Sequence, residues 1–222
     1  MDRQELLQNG WIEFMCDLST DSLGIARQFG EPLASRRGGS LVDLLVPTKQ
    51  EDAHPRSISA IYGTGEFPFH TDGAYMRVPP RFMLLRFIEG ESDRTTFLLD
   101  AYALPFLAEE RREMFRDVWV VNGGRGRFLT TVFNNSLVSG STIVRYDRDC
   151  MRPAHPAFNR AADILDLRSQ EIKPVQITWK LGHTLVLDNW RMLHARGSSS
   201  LEGIERRVLE RVLVAAGYGG RL

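Results

Sequence analysis

The sequence predicts a mainly β fold with flanking helices, built on a double-stranded β-helix, the jelly-roll core of cupin-like proteins. Two observations support this fold class. Many short apolar runs are separated by turns that contain Gly, Asn or Pro, and only a few helical patterns interrupt them. No internal repeat, linker or low-complexity segment is visible. A fold of this kind has a mouth between its two sheets, which is a common place for a small-molecule pocket.

Periodicity, turn signals and helix caps give the expected order of elements along the chain. The predicted helices cover residues 2–8, 22–29, 104–115 and 156–167. The predicted strands cover residues 11–14, 41–46, 81–89, 95–99, 118–121, 128–133, 142–146, 175–180, 184–187 and 207–215. We expect a single domain over 1–222, with the jelly roll at about 58–216 and the N-terminal segment 1–57 packed on it.

Composition excludes several classes of protein. The chain of 222 residues has 28 basic and 28 acidic residues, so no nucleic-acid or anionic-membrane partner is expected. Cys16 and Cys150 are too few for a disulfide scaffold and favour a reducing compartment. We see no signal peptide and no apolar run near the roughly 20 residues of a spanning helix. The sequence thus predicts a cytoplasmic globular protein whose oligomeric state stays open.

The most informative stretch, 67–75, contains His70 and Asp72 in an aromatic setting. Residues i and i+2 of a strand point to the same face, so the imidazole and the carboxylate can point towards one centre. Two histidines and one carboxylate on one side of a metal are the known ligands of non-haem iron(II). His-x-Asp alone is common, and the pair still needs a second histidine.

His194 is the candidate for that second histidine. It follows the strand-like run 184–187 and a polar turn, so we expect it where a strand ends and a loop bends towards His70. For a single histidine, an ordinary structural role is the better interpretation. His54, His155 and His183 are interpreted in that way, because none has a partner at ligand spacing.

A strand over 207–215 places Arg207, Leu209 and Arg211 on one face. A guanidinium that faces inward needs an anionic partner, and a carboxylate suits its planar fork best. A salt-bridged strand edge explains the spacing equally well.

Taken together, these motifs resemble the iron(II)/2-oxoglutarate oxygenases of the taurine dioxygenase and clavaminate synthase-like family. That family has His-x-Asp/Glu, a Thr or Ser some two dozen residues later, a distal His, and an Arg about a dozen residues beyond it. Here 23 residues separate Asp72 from Thr96, and 12 separate His194 from Arg207. The resemblance runs from near residue 10 to near residue 215 and includes Gly10-Trp11, 25–30, 144–147 and Asp188-Asn189-x-Arg191.

The resemblance implies a role for each of these residues. His70, Asp72 and His194 would bind iron(II). Arg207 would bind the distal carboxylate of 2-oxoglutarate, with the hydroxyl of Thr96 beside it. The implied activity is oxidation, most simply hydroxylation, of a C–H bond in a small molecule with O2, releasing succinate and CO2. Because Asp72 occupies the position that is a small residue in related halogenases, hydroxylation or desaturation is favoured over halogenation.

The resemblance also suggests substrate-binding residues. Arg211 matches a position that often holds an anionic group of the substrate. Asp147 and Asp149 fall near the place where some relatives bind a basic or amino group, so an amino acid or a derivative is the expected substrate. Arginines over 145–152 are an alternative partner for both carboxylates.

The chain departs from the family in several places. Ser92, Asp93 and Arg94 replace the usual Gly-Gly before the threonine, and Thr95 is the alternative hydroxyl to Thr96. The segment between Thr96 and His194 is short for the family, so we expect a reduced excursion over the active site.

Asn189 and Arg191 are the candidates for orienting the ligands near His194. The competing interpretations are a cupin-like metal-binding protein and an iron enzyme that does not use 2-oxoglutarate. Thr96 and Arg207 would have no purpose in either.

Overall fold

The computed structural model describes residues 3–55, 57–123, 126–136, 139–201 and 206–216. Its α-helices are α1 (Arg3–Asn9), α2 (Ser22–Ala26), α3 (Ser59–Tyr62), α4 (Ala108–Arg116) and α5 (Arg160–Ser169), and short 3-10 helices span Gln50–Asp52 and Pro156–Phe158. The strands are β1 (Trp11–Met15), β2 (Pro32–Leu33), β3 (Asp43–Leu45), β4 (Phe67–His70), β5 (Phe82–Glu89), β6 (Thr96–Asp100), β7 (Trp119–Gly123), β8 (Gly126–Thr130), β9 (Phe133–Asn135), β10 (Thr142–Val144), β11 (Met151–Pro153), β12 (Val175–Ile177), β13 (His183–Asp188), β14 (Met192–Arg196) and β15 (Val208–Val214).

Two antiparallel sheets form the core of the fold. The larger, six-stranded sheet has the order β1-β13-β5-β15-β2, and β3 also pairs with β15. The smaller sheet has the order β12-β6-β14-β4. The strands β11-β7-β8 and β9-β10 form two further small sheets. This architecture confirms the predicted jelly-roll class.

Both faces of the larger sheet are covered, which explains its almost continuous apolar strands. In β5, Leu85 belongs to the core between the two sheets, whereas its neighbour Leu84 belongs to a second cluster with residues of α1 and α2. In β15, Leu209 and Val212 divide in the same way. A third cluster covers the outer side of the smaller sheet with residues of α4 and α5.

The N-terminal segment contributes strands to the larger sheet. β1 pairs with β13, and both β2 and β3 pair with β15. α2 begins at the cap Asp21, whose carboxylate accepts hydrogen bonds from the amides of Leu23 and Gly24, both at 3.0 Å. Strands from both sides of residue 58 thus share one sheet. The predicted start of the jelly roll near that residue stays a prediction.

Several elements differ from the sequence prediction. The helix predicted over 22–29 ends at Ala26, and the one predicted from residue 156 begins as a 3-10 turn before α5. The short elements α3, β2, β9 and β11 were not predicted, since two to four residues give too little periodicity. No helix in the described ranges is long and apolar enough to cross a membrane.

Candidate active site

A cavity of about 1810 Å³ opens between the two sheets. Every residue predicted to bind iron, 2-oxoglutarate or the substrate lines it. These residues are His70, Asp72, Thr96, Asp147, Asp149, His194, Arg207 and Arg211.

The two histidines lie side by side on neighbouring strands of the smaller sheet. His70 ends β4, and His194 lies within β14 directly opposite it. Their ring centroids are 4.2 Å apart. The expectation that His194 lies in a loop was wrong, because the turn after β13 is short and the chain immediately forms β14.

Hydrogen bonding and burial prepare both imidazoles to act as ligands. Nδ1 of His70 donates to the carbonyl of Pro68 at 3.1 Å, which leaves the lone pair on Nε2. Nδ1 of His194 is buried and has no hydrogen-bond partner among the described residues. Burial, followed by the nearby His70 and Arg211, holds the pKa of His194 well below its usual value. A neutral imidazole is the form that binds metals.

Asp72 is positioned by a turn rather than by a strand, which corrects the expected geometry. β4 ends at His70, and the side chain of Asn189 fixes the backbone of Asp72. Oδ1 of Asn189 accepts the amide of Asp72 at 2.9 Å, and its Nδ2 donates to the carbonyls of Asp72 and Pro80, each at 2.9 Å. Gly73 follows with φ +67°, where a Cβ would lie 2.7 Å from Pro80 Cδ.

The carboxylate of Asp72 pairs with Arg211. Nη1 of Arg211 donates to Oδ2 of Asp72 at 2.9 Å, and its Nη2 donates to Oδ2 of Asp43 at 2.8 Å. Burial alone would lower the pKa of Arg211, but the two carboxylates raise it above its ordinary value. Oδ1 of Asp72 makes no hydrogen bond with another described residue, so it is the oxygen left for a metal.

The donor set fits an iron(II) ion. In the described part of the chain, no three His, Cys, Asp or Glu side chains already converge as a complete metal site. Nevertheless, His70 and His194 stand together, one imidazole nitrogen is buried without a partner, and Asp72 follows two residues after His70. Asp72 would supply the carboxylate of a 2-His-1-carboxylate set.

Next to this centre, the cavity has a basic, hydroxyl-bearing end. Arg207 is buried, and its Nη1 lies 3.5 Å from the carbonyl of Arg94. Thr96 is also buried, and its hydroxyl accepts a hydrogen bond from Nε1 of Trp179 at 3.0 Å. Its own proton is therefore available to a ligand. Thr95, by contrast, lies against Gly197 and does not line the cavity.

Asp147 and Asp149 follow β10 and form an acidic pair. The amide of Asp149 donates to Oδ1 of Asp147 at 2.8 Å, and the hydroxyl of Tyr62 donates to Asp149 at 3.3 Å. Burial, followed by repulsion from Asp147, raises the pKa of Asp149. Two carboxylates in one cavity wall are a natural site for a cationic group.

The arginines of 145–152 make no ion pair or hydrogen bond with this pair among the described residues. Arg145 donates to main-chain carbonyls of residues 74, 76 and 77, and Arg148 pairs with Asp166. Arg152 donates to main-chain carbonyls. The alternative partner considered for the two carboxylates is therefore not seen among the described ion pairs.

The remaining predicted residues have structural contacts. Arg191 donates to both carboxylate oxygens of Asp100 and to carbonyls of α1, far from the ligand-orienting role expected for it. His183 bonds Glu13 and the carbonyl of Thr178, and His155 caps a 3-10 turn, as structural histidines do. His54 lies at the cavity wall.

Sequence reasoning missed two residues, one in the cavity wall and one that pairs with a cavity residue. Arg94 is buried at the basic end, and the only signal for it was the replacement of the family's Gly-Gly before Thr96. Asp43 lay within a correctly predicted strand, but nothing in the sequence indicated that it pairs with Arg211.

Comparison with known proteins decides the family. The model of the family described as "Taurine catabolism dioxygenase TauD, TfdA family" matches residues 19–213, which is most of the chain. The chain belongs to this family. The match confirms the predicted class, an iron(II)/2-oxoglutarate-dependent oxygenase, and with it the cofactors iron(II), 2-oxoglutarate and O2.

Solved structures share the fold of this TauD/TfdA-family chain. Asparagine oxygenase (AsnO) superposes with a TM-score of 0.73 at 18% identity, over 97% of this chain and 76% of its own. The non-haem iron oxygenase OrfP, in complex with Fe and alpha-ketoglutaric acid, gives 0.68 at 18% identity, over 96% and 78%. PvcB from Pseudomonas aeruginosa gives 0.68 at 19% identity, also over 96% and 78%. These similarities support the jelly-roll fold.

Proposed function

We propose that this enzyme hydroxylates a C–H bond of an amino acid or amino-acid derivative, with release of succinate and CO2. The observation that carries the proposal is the single cavity that brings together a histidine pair with a nearby carboxylate, a basic end with a free hydroxyl proton, and an acidic pair. Each part matches the chemistry of one component of the reaction.

Iron(II) would be held by His70, Asp72 and His194. When bound, iron(II) with 2-oxoglutarate supplies the oxidising chemistry that uses O2, and the protein orients the substrate and excludes water. The hydrogen bond from His70 to Pro68 and the three hydrogen bonds of Asn189 keep two of these ligands in place.

Arg207 and Thr96 would bind a carboxylate of 2-oxoglutarate. The planar fork of a guanidinium pairs well with a carboxylate, and Arg207 lines the same cavity as Thr96. Because the Thr96 hydroxyl already accepts from Trp179, its proton can be donated to the same carboxylate. Thr95 does not line the cavity, so Thr96 is the better candidate.

Asp147 and Asp149 would bind a cationic group of the substrate. Neither carboxylate pairs with an arginine among the described residues, and together they would hold an ammonium or guanidinium group. The related structures contain 3-hydroxyasparagine in asparagine oxygenase and 3-hydroxy-L-arginine in OrfP, which supports an amino-acid substrate here.

We further propose that the enzyme is cytoplasmic and has no nucleic-acid partner.

Arg211 remains a candidate for an anionic group of the substrate. Both of its terminal nitrogens already donate to carboxylates of this chain, so a substrate anion would have to share one of them with Asp43 or Asp72.

A cupin-like binding protein, or an iron enzyme that does not use 2-oxoglutarate, has no need for Arg207 and Thr96 in the same cavity.

The proposal is tested first by adding iron(II) and then 2-oxoglutarate to the apoprotein without oxygen. A weak visible charge-transfer band that needs both components is expected. Iron binding without a band would favour an enzyme that does not use 2-oxoglutarate. Succinate release is then measured with a panel of amino acids that includes basic, amide and N-acetylated members.

The Asp147→Asn and Asp149→Asn variants test the substrate site. Both variants are expected to lose the preference for amino acids with a free ammonium or guanidinium group over their N-acetylated counterparts. The charge-transfer band should stay. Asp52→Asn, at an exposed carboxylate of the cavity rim, is the control for the loss of one negative charge. An unchanged preference in both variants would move the cation site elsewhere.

A further inference from the structure

Arg211 is the junction of a polar network that joins the candidate iron site to the N-terminal segment. Its two terminal nitrogens donate to two different carboxylates, Asp72 at 2.9 Å and Asp43 at 2.8 Å. Its side chain is 20% exposed, and that of Asp72 is 10% exposed. At this depth, each carboxylate changes how strongly the guanidinium acts on the other.

The backbone fixes the position of Asp43. Asp43 on β3 is the direct cross-strand partner of Arg211 on β15. Side chains at directly opposite positions of an antiparallel pair lie within easy contact. The pairing of the two side chains is therefore built into the register of the sheet.

Hydrogen bonds from neighbouring residues orient the Asp43 carboxylate. Its Oδ1 accepts a hydrogen bond from the hydroxyl of Ser35 at 3.1 Å. The carbonyl of Ser35 in turn accepts the hydroxyl of Tyr75 at 2.8 Å. Tyr75 lies three residues after Asp72, so the network returns to the turn that contains the candidate ligand.

Asp43 also balances charge at the metal site. If Arg211 faced Asp72 alone, its positive charge would act fully on the ligand carboxylate and would weaken its donation to a cation. Because Asp43 accepts from the second nitrogen, its negative charge offsets part of the positive charge that Arg211 presents to Asp72. Groups beyond the direct ligands commonly change metal affinity in this way.

We infer that Asp43 is a positioning residue of the iron site, which acts through Arg211 to set the orientation and donor strength of Asp72. The inference rests on the proposed iron-binding role of His70, Asp72 and His194. It assigns to the N-terminal strand β3 a part in metal binding.

The test measures the dissociation constant of iron(II) for the apoprotein, without oxygen, in four proteins. Asp43→Asn removes the charge but keeps an acceptor, and about tenfold weaker iron binding is expected. Ser35→Ala changes no charge but releases the Asp43 carboxylate, so roughly threefold weaker binding is expected. Asp52→Asn has the same charge change as Asp43→Asn on an exposed residue of the same segment, and wild-type affinity is expected.

Thermal melting of the same apoproteins separates this role from a loss of folding. If Asp43→Asn binds iron as wild type does, the inference is wrong. If Asp43→Asn binds weakly but Ser35→Ala binds normally, Asp43 sets the donor strength of Asp72 by its charge alone, and the part of the inference that concerns orientation is wrong. If wild type itself binds no iron, the proposed function fails instead.

Discussion

Asn189 offers a sharp test of how the Asp72 turn is held. The side chain is fully buried and makes three hydrogen bonds of 2.9 Å. Its Nδ2 faces two carbonyls, of Asp72 and Pro80, and only a donor can satisfy them. The isosteric change Asn189→Asp replaces this donor with a carboxyl oxygen.

The cost of Asn189→Asp can be worked out from these contacts. A protonated Asp donates to one carbonyl and leaves the other unsatisfied, which costs about 1–3 kcal/mol. Protonating a carboxyl of ordinary pKa at about pH 7.5 costs roughly 5 kcal/mol more. If the new Asp stayed ionised, its negative charge would face both carbonyl oxygens and repel them. Adding the two costs, we expect a loss of up to about 6–8 kcal/mol in the free energy of unfolding at neutral pH, a large part of a typical total.

Urea unfolding at two pH values checks this reasoning. Protonation becomes easier by about 2.7 kcal/mol between about pH 7.5 and 5.5, so Asn189→Asp should regain part of its stability relative to wild type in acid. Asn189→Ala is the matched control, because it loses the same hydrogen bonds but has no group to titrate. A pH-independent difference between the two variants, or wild-type stability in Asn189→Asp, would refute the assigned hydrogen bonds.

Three further changes test other parts of the site. Arg207→Ala should raise the 2-oxoglutarate concentration needed for the charge-transfer band at least about tenfold with iron still bound, and an unchanged requirement would place the clamp elsewhere. His194→Ala should abolish stoichiometric iron binding, and retained iron would exclude it as a ligand. Burial raises the pKa of Asp188 from 3.8 to about 6, partly offset by Arg81. The folded state therefore binds more protons between these pH values, and its stability should fall by roughly 3 kcal/mol as the pH rises through them. Asp188→Asn should remove this pH dependence from the free energy of unfolding measured with urea. An unaltered pH dependence would contradict the raised pKa of the buried carboxyl.

The sequence predicted the components of the site better than their arrangement. Alternation along β15 correctly placed Leu209 and Arg211 on the cavity face, and Arg207, just before the strand, also lines the cavity. The strand period of two is local information. The same rule failed for Asp72, because β4 ends at His70 and the next residues form a turn. That turn is held by Asn189, which lies 117 positions away along the chain.

Contacts between distant segments account for the other differences. The partner of Asp43 lies 168 positions along the chain, and neither residue's neighbours encode the pairing. β3 is only three residues long, so its register follows from pairing with β15 and not from its own pattern. Asn189 and Arg191 were expected to act alike, but the fold directs one towards Asp72 and the other towards Asp100.

The balanced charge of the chain hides a separation of charge inside the cavity. Equal numbers of acidic and basic residues argued against a polyanionic partner, and that argument concerns only the outer surface. Inside, Arg207 and Arg211 lie just before and on β15 of the larger sheet, and the acidic pair lies on the loop after β10. A dianionic cofactor and a cationic substrate would therefore be drawn to different walls of one cavity, and each would be repelled from the other's site. This division supports the proposal that 2-oxoglutarate binds at Arg207 and the cationic end of the substrate at Asp147 and Asp149.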